Sequence, residues 1–313
     1  MREGLIFNRL GLLDRVMRLS PECVPCILNV RMREILGSEF NDEMKMRAAK
    51  ELVKSYGEML EGSDTTTMLA WRAYRKSKEL LGKDDPYVAF KKRSHEVALQ
   101  LSQAVLSELE SKVGFERFHY AVRASLAANF IDPGSPMGTG PEDFHHRLRE
   151  LRFGVDESEK LYLTLLQSSR VTYILDNCGE AVFDMILLKE ISAMGSDIKI
   201  VVKGEPYQND VTVREAKEYG LDEFGEVVST GSDFPGVVPG YASEESLSAL
   251  KWADVVISKG MANYEAFLAY PPEKPVFVML VAKCDPIARS IGIKRGEAAA
   301  FFLKGAPNLL KFQ

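Results

Sequence analysis

The sequence predicts an α/β protein: a parallel-sheet domain preceded by an all-helical N-terminal domain. Three observations carry this. Up to about residue 152, apolar residues recur at helical spacing. From about residue 170 the pattern turns into short continuous apolar runs rich in β-formers, alternating with helical stretches. Each run ends in polar or charged residues, as expected of a sheet that offers its carboxyl edge to a ligand. The 313 residues have room for two domains at roughly 150 residues each. The expected division is 1–155 for the helical bundle and 156–313 for the α/β domain that carries the site.

In the first half, residues 23–36, 44–60, 65–81, 87–109 and 115–128 read as helices. Within 23–36, Cys23, Cys26, Ile27 and Val30 fall near one stripe and Asn29 lies off it. Glu34 would land on the same stripe and weakens the pattern there. Gly62-Ser63-Asp64, Gly82 to Pro86 and Asp132 to Pro136 punctuate the helices. In the second half, 171–175, 198–202, 227–229, 254–258 and 276–281 read as strands, with helices over 181–194, 211–219 and 262–269 between them. Continuous apolar strands separated by helices predict a parallel sheet covered on both faces.

Composition removes several classes of function. Forty basic against 45 acidic side chains give a net charge of −5, which argues against binding nucleic acid through a general basic field. Four cysteines in this length do not make a disulfide scaffold. The longest apolar stretch, Val276 to Ala282, is far short of a bilayer span. Met1-Arg2-Glu3-Gly4 lacks a signal-peptide pattern, so the expectation is a soluble, cytoplasmic protein without membrane contact.

The strand ends hold the chemistry. Asp176 and Asn177 end the first strand, with Glu180 just beyond. Lys203 ends the second, and Asp210 follows in its loop. Gly231 follows the third; Ser258 and Lys259, with Asn263 nearby, end the fourth; Lys283 ends the fifth. Right-handed crossovers bring these ends to one edge. Two carboxylates and an amide carbonyl are hard oxygen donors suited to magnesium, manganese or a similar divalent ion. Lysines around them can neutralise a phosphate. A plainer account stands beside this one. Asp210 precedes a helix and can be its N-cap, with Thr212 and Glu215 offering an overlapping capping box. Glu180 can sit in a first turn only to complement the helix dipole.

Absent motifs narrow the class. Gly-x-Gly-x-x-Gly does not follow the first strand, and neither a P-loop nor a Gly-x-Ser-x-Gly elbow occurs. An aspartyl-phosphatase of the haloacid-dehalogenase type would carry a second Asp where Cys178 stands.

Leu175-Asp-Asn-Cys-Gly-Glu180, Val202-Lys-Gly204 with Asn209-Asp-Val-Thr212, Ser229 to Asp233, Ser258-Lys-Gly-Met-Ala-Asn-Tyr-Glu265 and Val281-Ala-Lys-Cys284 occur in this order. Together they resemble the damage-control phosphatase family, long catalogued as a domain of unknown function. Glu22-Cys-Val-Pro-Cys26 resembles the signature of its stand-alone microbial branch. The likeness spans about residues 20–290. It implies a Rossmann-like three-layer domain behind the helical one, and metal-dependent hydrolysis of small phosphate monoesters such as sugar phosphates or phosphorylated coenzyme precursors. It further implies metal ligation by Asp176, Asn177 and Asp210, with Mg, Mn, Co or Ni as the divalent metal. Lys283 corresponds to the family's Lys-Cys motif. Asn129 and Asp132 resemble the segment in which the helical domain reaches the site. Our reading gives Asp176, Lys283 and Lys259 the catalytic roles, with metal-activated water attacking phosphorus. Asn129, Asp132, Glu180, Lys203, Gly231, Ser258 and Asn263 surround the phosphate and the rest of the substrate.

Cys23 and Cys26 sit at i, i+3 on a helix, so both thiols share one face. A zinc site would need two more ligands and no second cysteine pair occurs, whereas a redox pair would follow a strand and this context is helical, so structural packing or a second metal contact suits them better than redox catalysis. Two other functions stay open. A methyltransferase using S-adenosylmethionine would take Asp176-Asn-x-Gly179 as its cofactor loop and would bind that cofactor with measurable heat. A non-enzymatic metal- or nucleotide-sensing module would bind without turnover.

Overall fold

The computed structural model describes residues 19–130 and 144–303. The helical half comprises α1 (Cys23–Leu36), α2 (Asp42–Glu61), α3 (Thr66–Leu81), α4 (Val88–Glu110) and α5 (Gly114–Ala128). Caps set their limits. Asn41 accepts from the Met44 N–H, so α2 begins before its first apolar residue. Thr65 does the same for α3 through Met68, and Gly82 at φ 61° ends that helix.

There follow α6 (Phe144–Glu150), β1 (Phe153–Asp156), α7 (Ser158–Leu165), β2 (Arg170–Ile174), α8 (Cys178–Ala193), β3 (Asp197–Val202), α9 (Val213–Glu218), a 3-10 turn at Leu221–Glu223 and β4 (Glu226–Ser229). The chain continues through α10 (Glu244–Trp252), β5 (Val255–Lys259), α11 (Met261–Ala269), β6 (Val276–Val281), α12 (Asp285–Ile291) and β7 (Ala298–Phe302). The seven strands form one sheet in the order β1-β7-β6-β5-β2-β3-β4. β4, β3, β2, β5 and β6 are the five expected strands and run parallel. The sheet extends two strands further than the sequence suggested: β7 is antiparallel to β6, and β1 pairs with β7. Neither announces itself. β7 reads Ala-Ala-Ala-Phe-Phe, and alanine is a poor strand former; β1 has four residues and alternates half-buried with exposed.

The strands bury both faces. Val171 and Tyr173 of β2 join Phe183, Leu187 and Ile191 of α8 and the small side chains of α5 in one core. Ile174, Val201 and Val256 join Leu250 and Phe267 on the other face. The period of two places successive residues on opposite sides, so each strand feeds both layers. α8 is apolar all round because it lies between the sheet and α4 and α5. The helical half thus rests on the sheet as a further layer. No helix among the described residues is long and apolar enough to cross a membrane.

Strand order reverses at β2. The chain steps from β2 to β3 and β4 on one side, then returns to place β5 on the other. Such a switch point opens a crevice at the strands' carboxyl ends. Asp176 lies just past β2 in that crevice, against Gly260 at the end of β5.

Candidate active site at the switch point

The segment after β3 assembles the site. It turns back at Gln208, a non-glycine residue at φ 48°, and runs antiparallel beside the residues after β2. Val211 N–H donates to Asp176 O and Cys178 N–H donates to Asn209 O, both at 2.9 Å. Asn177 and Asp210 thereby become a bridged pair. Asp210 is not the cap of α9. Thr212 takes that position, and Glu215 closes a full capping box with it. The Asp210 carboxylate is left to meet Lys203 Nζ at 3.5 Å.

Gly260 makes room for Asp176. It holds φ 82° and ψ 164°, a region essentially restricted to glycine. A Cβ there would stand 2.2 Å from Asp176 Oδ2. The Asp176 carboxylate therefore lies against bare backbone at the N-terminus of α11.

The two carboxylates are held at some electrostatic cost. Burial, with Glu180 and Asp210 nearby, pushes Asp176 well above the usual carboxylate range, against the charges of Lys283 and Lys259. Burial raises Asp210 to about 6 even though Lys203 and Lys91 favour its anion. Burial in turn lowers Lys203. Asn177 Nδ2 donates to Asp176 Oδ2 at 2.9 Å and to Glu180 Oε1 at 2.5 Å. Asn129, the C-cap of α5, also donates to Glu180 Oε1. Both amide nitrogens thus donate to Glu180 Oε1, and Asn129 Oδ1 is buried without a hydrogen-bond partner.

A second charged layer lies behind the first. Lys259 is fully enclosed, with Nζ 2.8 Å from Ser125 Oγ, 3.1 Å from Glu180 Oε2 and 2.7 Å from Asp184 Oδ1. Ser125 and Tyr173 hydroxyls also donate to Asp184 Oδ1, at 2.6 and 2.8 Å. Burial works against the Lys259 charge, but Asp184 and Glu180 outweigh it and hold its pKa above the ordinary lysine value. Asp184 itself is raised by burial.

A cavity of about 480 Å³ opens over the first layer. Asp176, Asn177, Asp210, Asn129 and Lys283 line it, and Cys23 and Cys26 face it from α1. Among the described residues, the other expected ones do not line it. Lys203, Lys259, Glu180, Ser258 and Asn263 are buried behind its floor, where Asn263 Nδ2 donates to the carbonyls of Leu175 and Lys259. Gly231, at φ 71°, packs against Gly204 so closely that a Cβ on Gly204 would stand 2.5 Å from it. Asp132 lies outside the described residues. The sequence reading assigned no role to three further lining residues: Tyr207, Gln208 and Glu265. Glu265 lies on α11 four residues after Met261, which lines the same cavity.

The residues suit a hard divalent cation. Among the described residues no three His, Cys, Asp or Glu side chains converge as a metal-binding group. The donors at the cavity floor are instead two carboxylates with amide oxygens. The carboxylates are raised by burial, so a cation would relieve them, and the Asn129 oxygen lacks a partner.

Comparison with known proteins identifies the family. The chain is 33% identical over 290 residues to an uncharacterized protein of Methanocaldococcus jannaschii, covering 90% of this chain and 94% of that one. It is 31% identical to proteins named damage-control phosphatase from Archaeoglobus fulgidus, covering 91% of this chain and 99% of that one, and from Pyrococcus horikoshii, covering 90% and 96%. The crystal structure of a DUF89 family protein from Pyrococcus horikoshii superposes with a TM-score of 0.81 at 28% identity, covering 91% of this chain and 99% of that one. Residues 19–299 match the damage-control phosphatase ARMT1-like domain, and the chain belongs to that family.

Proposed function

We propose that this protein is a divalent-metal-dependent phosphomonoester hydrolase acting on small phosphorylated metabolites, such as sugar phosphates or phosphorylated coenzyme precursors. One observation carries the reading: Asp176, Asn177 and Asp210 share the floor of a switch-point cavity with Lys283. Membership of the family and the names of two relatives support a phosphatase. A cavity of about 480 Å³ suits a metabolite rather than a macromolecule.

Asp176, Asn177 and Asp210 would hold the cation, which when bound supplies Lewis acidity at a phosphoryl oxygen and acidifies water. Lys283 offers a positive charge to the phosphoryl oxygens, a role of positioning and electrostatics. Glu180 fixes the amides of Asn177 and Asn129, and Lys259 with Asp184 fixes Glu180. In this reading Lys259 therefore acts through Glu180 rather than on the substrate. The roof contributed by α1 limits bulk water at the reacting centre. Cys23 and Cys26 belong to that roof as packing thiols, Cys23 buried and raised by burial, Cys26 exposed.

The test is phosphate release from p-nitrophenyl phosphate and a panel of phosphometabolites with Mg, Mn, Co or Ni, with a chelator, and with Asp176→Ala. Metal-stimulated release that falls about a thousandfold in the variant is expected, the scale of losing a principal charge-stabilising group. No metal-stimulated release from any substrate would sink the reading.

A further inference from the structure

Among the described residues five carboxylates line the cavity, and four of them face a cation. Asp210 meets Lys203, Asp176 lies in the field of Lys283, Glu22 is bound by Arg289, and Asp285 approaches Arg295 at 3.9 Å. Glu265 is the exception. The Thr66 hydroxyl draws its pKa down, the thiols of Cys23 and Cys284 lie in its field, and no ion pair joins it to a cation among the described residues. Thr66 Oγ1 also donates to Cys23 Sγ at 3.6 Å, which ties it to the roof. Burial raises the Glu265 carboxyl to about 8, with Thr66 drawing it down, which favours its protonated form. A neutral carboxyl both donates and accepts, which matches a hydroxyl better than an ammonium group.

Its position is set by α11. Gly260, the N-cap, touches Asp176, and Glu265 lies five residues further along the same wall. At 1.5 Å per residue the backbone advances about 7.5 Å between them. Ile27, Val30 and Ile287 line the same cavity with apolar side chains, so Glu265 is a polar group offered to whatever fills it.

We propose that Glu265 is a specificity-determining residue that hydrogen-bonds a hydroxyl on the non-phosphate end of the substrate, with Thr66 as its positioning residue. The inference rests on the phosphatase reading above. It requires a hydroxylated chain several carbons long, reaching along α11 from the phosphoryl group at Asp176.

The test compares two phosphonates whose C–P bond resists hydrolysis: hexylphosphonate and its polyhydroxylated counterpart. Binding is measured by calorimetry on the full chain loaded with divalent metal, for wild type, Glu265→Ala and Glu265→Gln. The wild type is expected to prefer the polyhydroxylated ligand. Glu265→Ala is expected to collapse that preference by about tenfold, the low end of what a lost buried hydrogen bond to substrate costs in discrimination. Glu265→Gln is expected to keep part of it, because an amide also donates and accepts; if the alanine variant does not fold, the glutamine variant decides. A wild type without preference, or a preference unchanged in both variants, overturns the proposal. Phosphate release is scored separately. Discrimination without turnover supports the Glu265 assignment and overturns the hydrolase reading, whereas turnover without discrimination overturns Glu265 alone.

Discussion

Two layers of charge lie one behind the other at the carboxyl edge of the sheet, and they are built on opposite plans. In the rear layer Lys259 is shared by Glu180 and Asp184, and hydroxyls of Ser125 and Tyr173 complete the bonding around Asp184 Oδ1. In the front layer Asp176 and Asp210 face a cavity, and both are raised above the usual carboxylate range. The rear layer is largely satisfied by the protein itself; the front layer is left for something to bind. The same residue types give rigidity in one place and a reactive surface in the other, and the difference is whether the partner is supplied by the fold.

Breaking the rear layer should give the largest loss of stability. Lys259→Met leaves two buried acids uncompensated, and about 3–5 kcal/mol of unfolding free energy should be lost in urea titration. Adding Asp184→Asn should recover part of that loss. If Lys259→Met unfolds at the wild-type midpoint, the layer is not a structural unit. A smaller effect is expected between the layers. Gly260→Ala puts a Cβ against Asp176 in a backbone region reserved for glycine, which should cost about 1–3 kcal/mol and displace the carboxylate. Phosphate release should then fall further than stability alone explains, and equal falls in both would remove the special role of this glycine.

A third effect is a pH dependence at the cavity wall. Glu265 is held at about 8 in the folded chain against an ordinary 4.5. A raised acid favours the fold while protonated, so its contribution is complete below about 4.5 and is lost as pH rises through 8. Glu265→Gln carries no such proton. Relative to wild type, its Tm should therefore be higher at pH 9 than at pH 5. A constant difference in Tm would refute the raised acid.

How much of this was legible follows the physics of each signal. β2, β3, β5 and β6 are continuous apolar runs because both faces are covered, and such runs are hard to mistake. The alanines of β7 carry no comparable signal, and it is placed by pairing with β6. Asp176, Asn177 and Asp210 were readable as strand-end donors, and the capping alternative for Asp210 was settled by Thr212 taking the cap. What sequence could not separate was front from rear. Lys259 and Lys283 both follow strands, yet Lys259 is enclosed by Ser125 and Asp184, contributed by α5 and α8, whereas Lys283 faces the cavity. That distinction depends on helices distant in the chain. Glu265 carries no such signal, because a lone glutamate on a short helix says nothing about the cavity beside it.

The roof of the cavity also sets an order in time. Its walls run from Glu22 on the approach to α1 to Arg295 beyond α12, nearly the whole length of the described chain. On a ribosome the roof emerges before the acidic floor, and Lys283 emerges after both. A growing chain therefore carries no finished cavity until the segment after β6 has been made, and a product cut short before β6 would hold the acidic floor without the lysine that faces it.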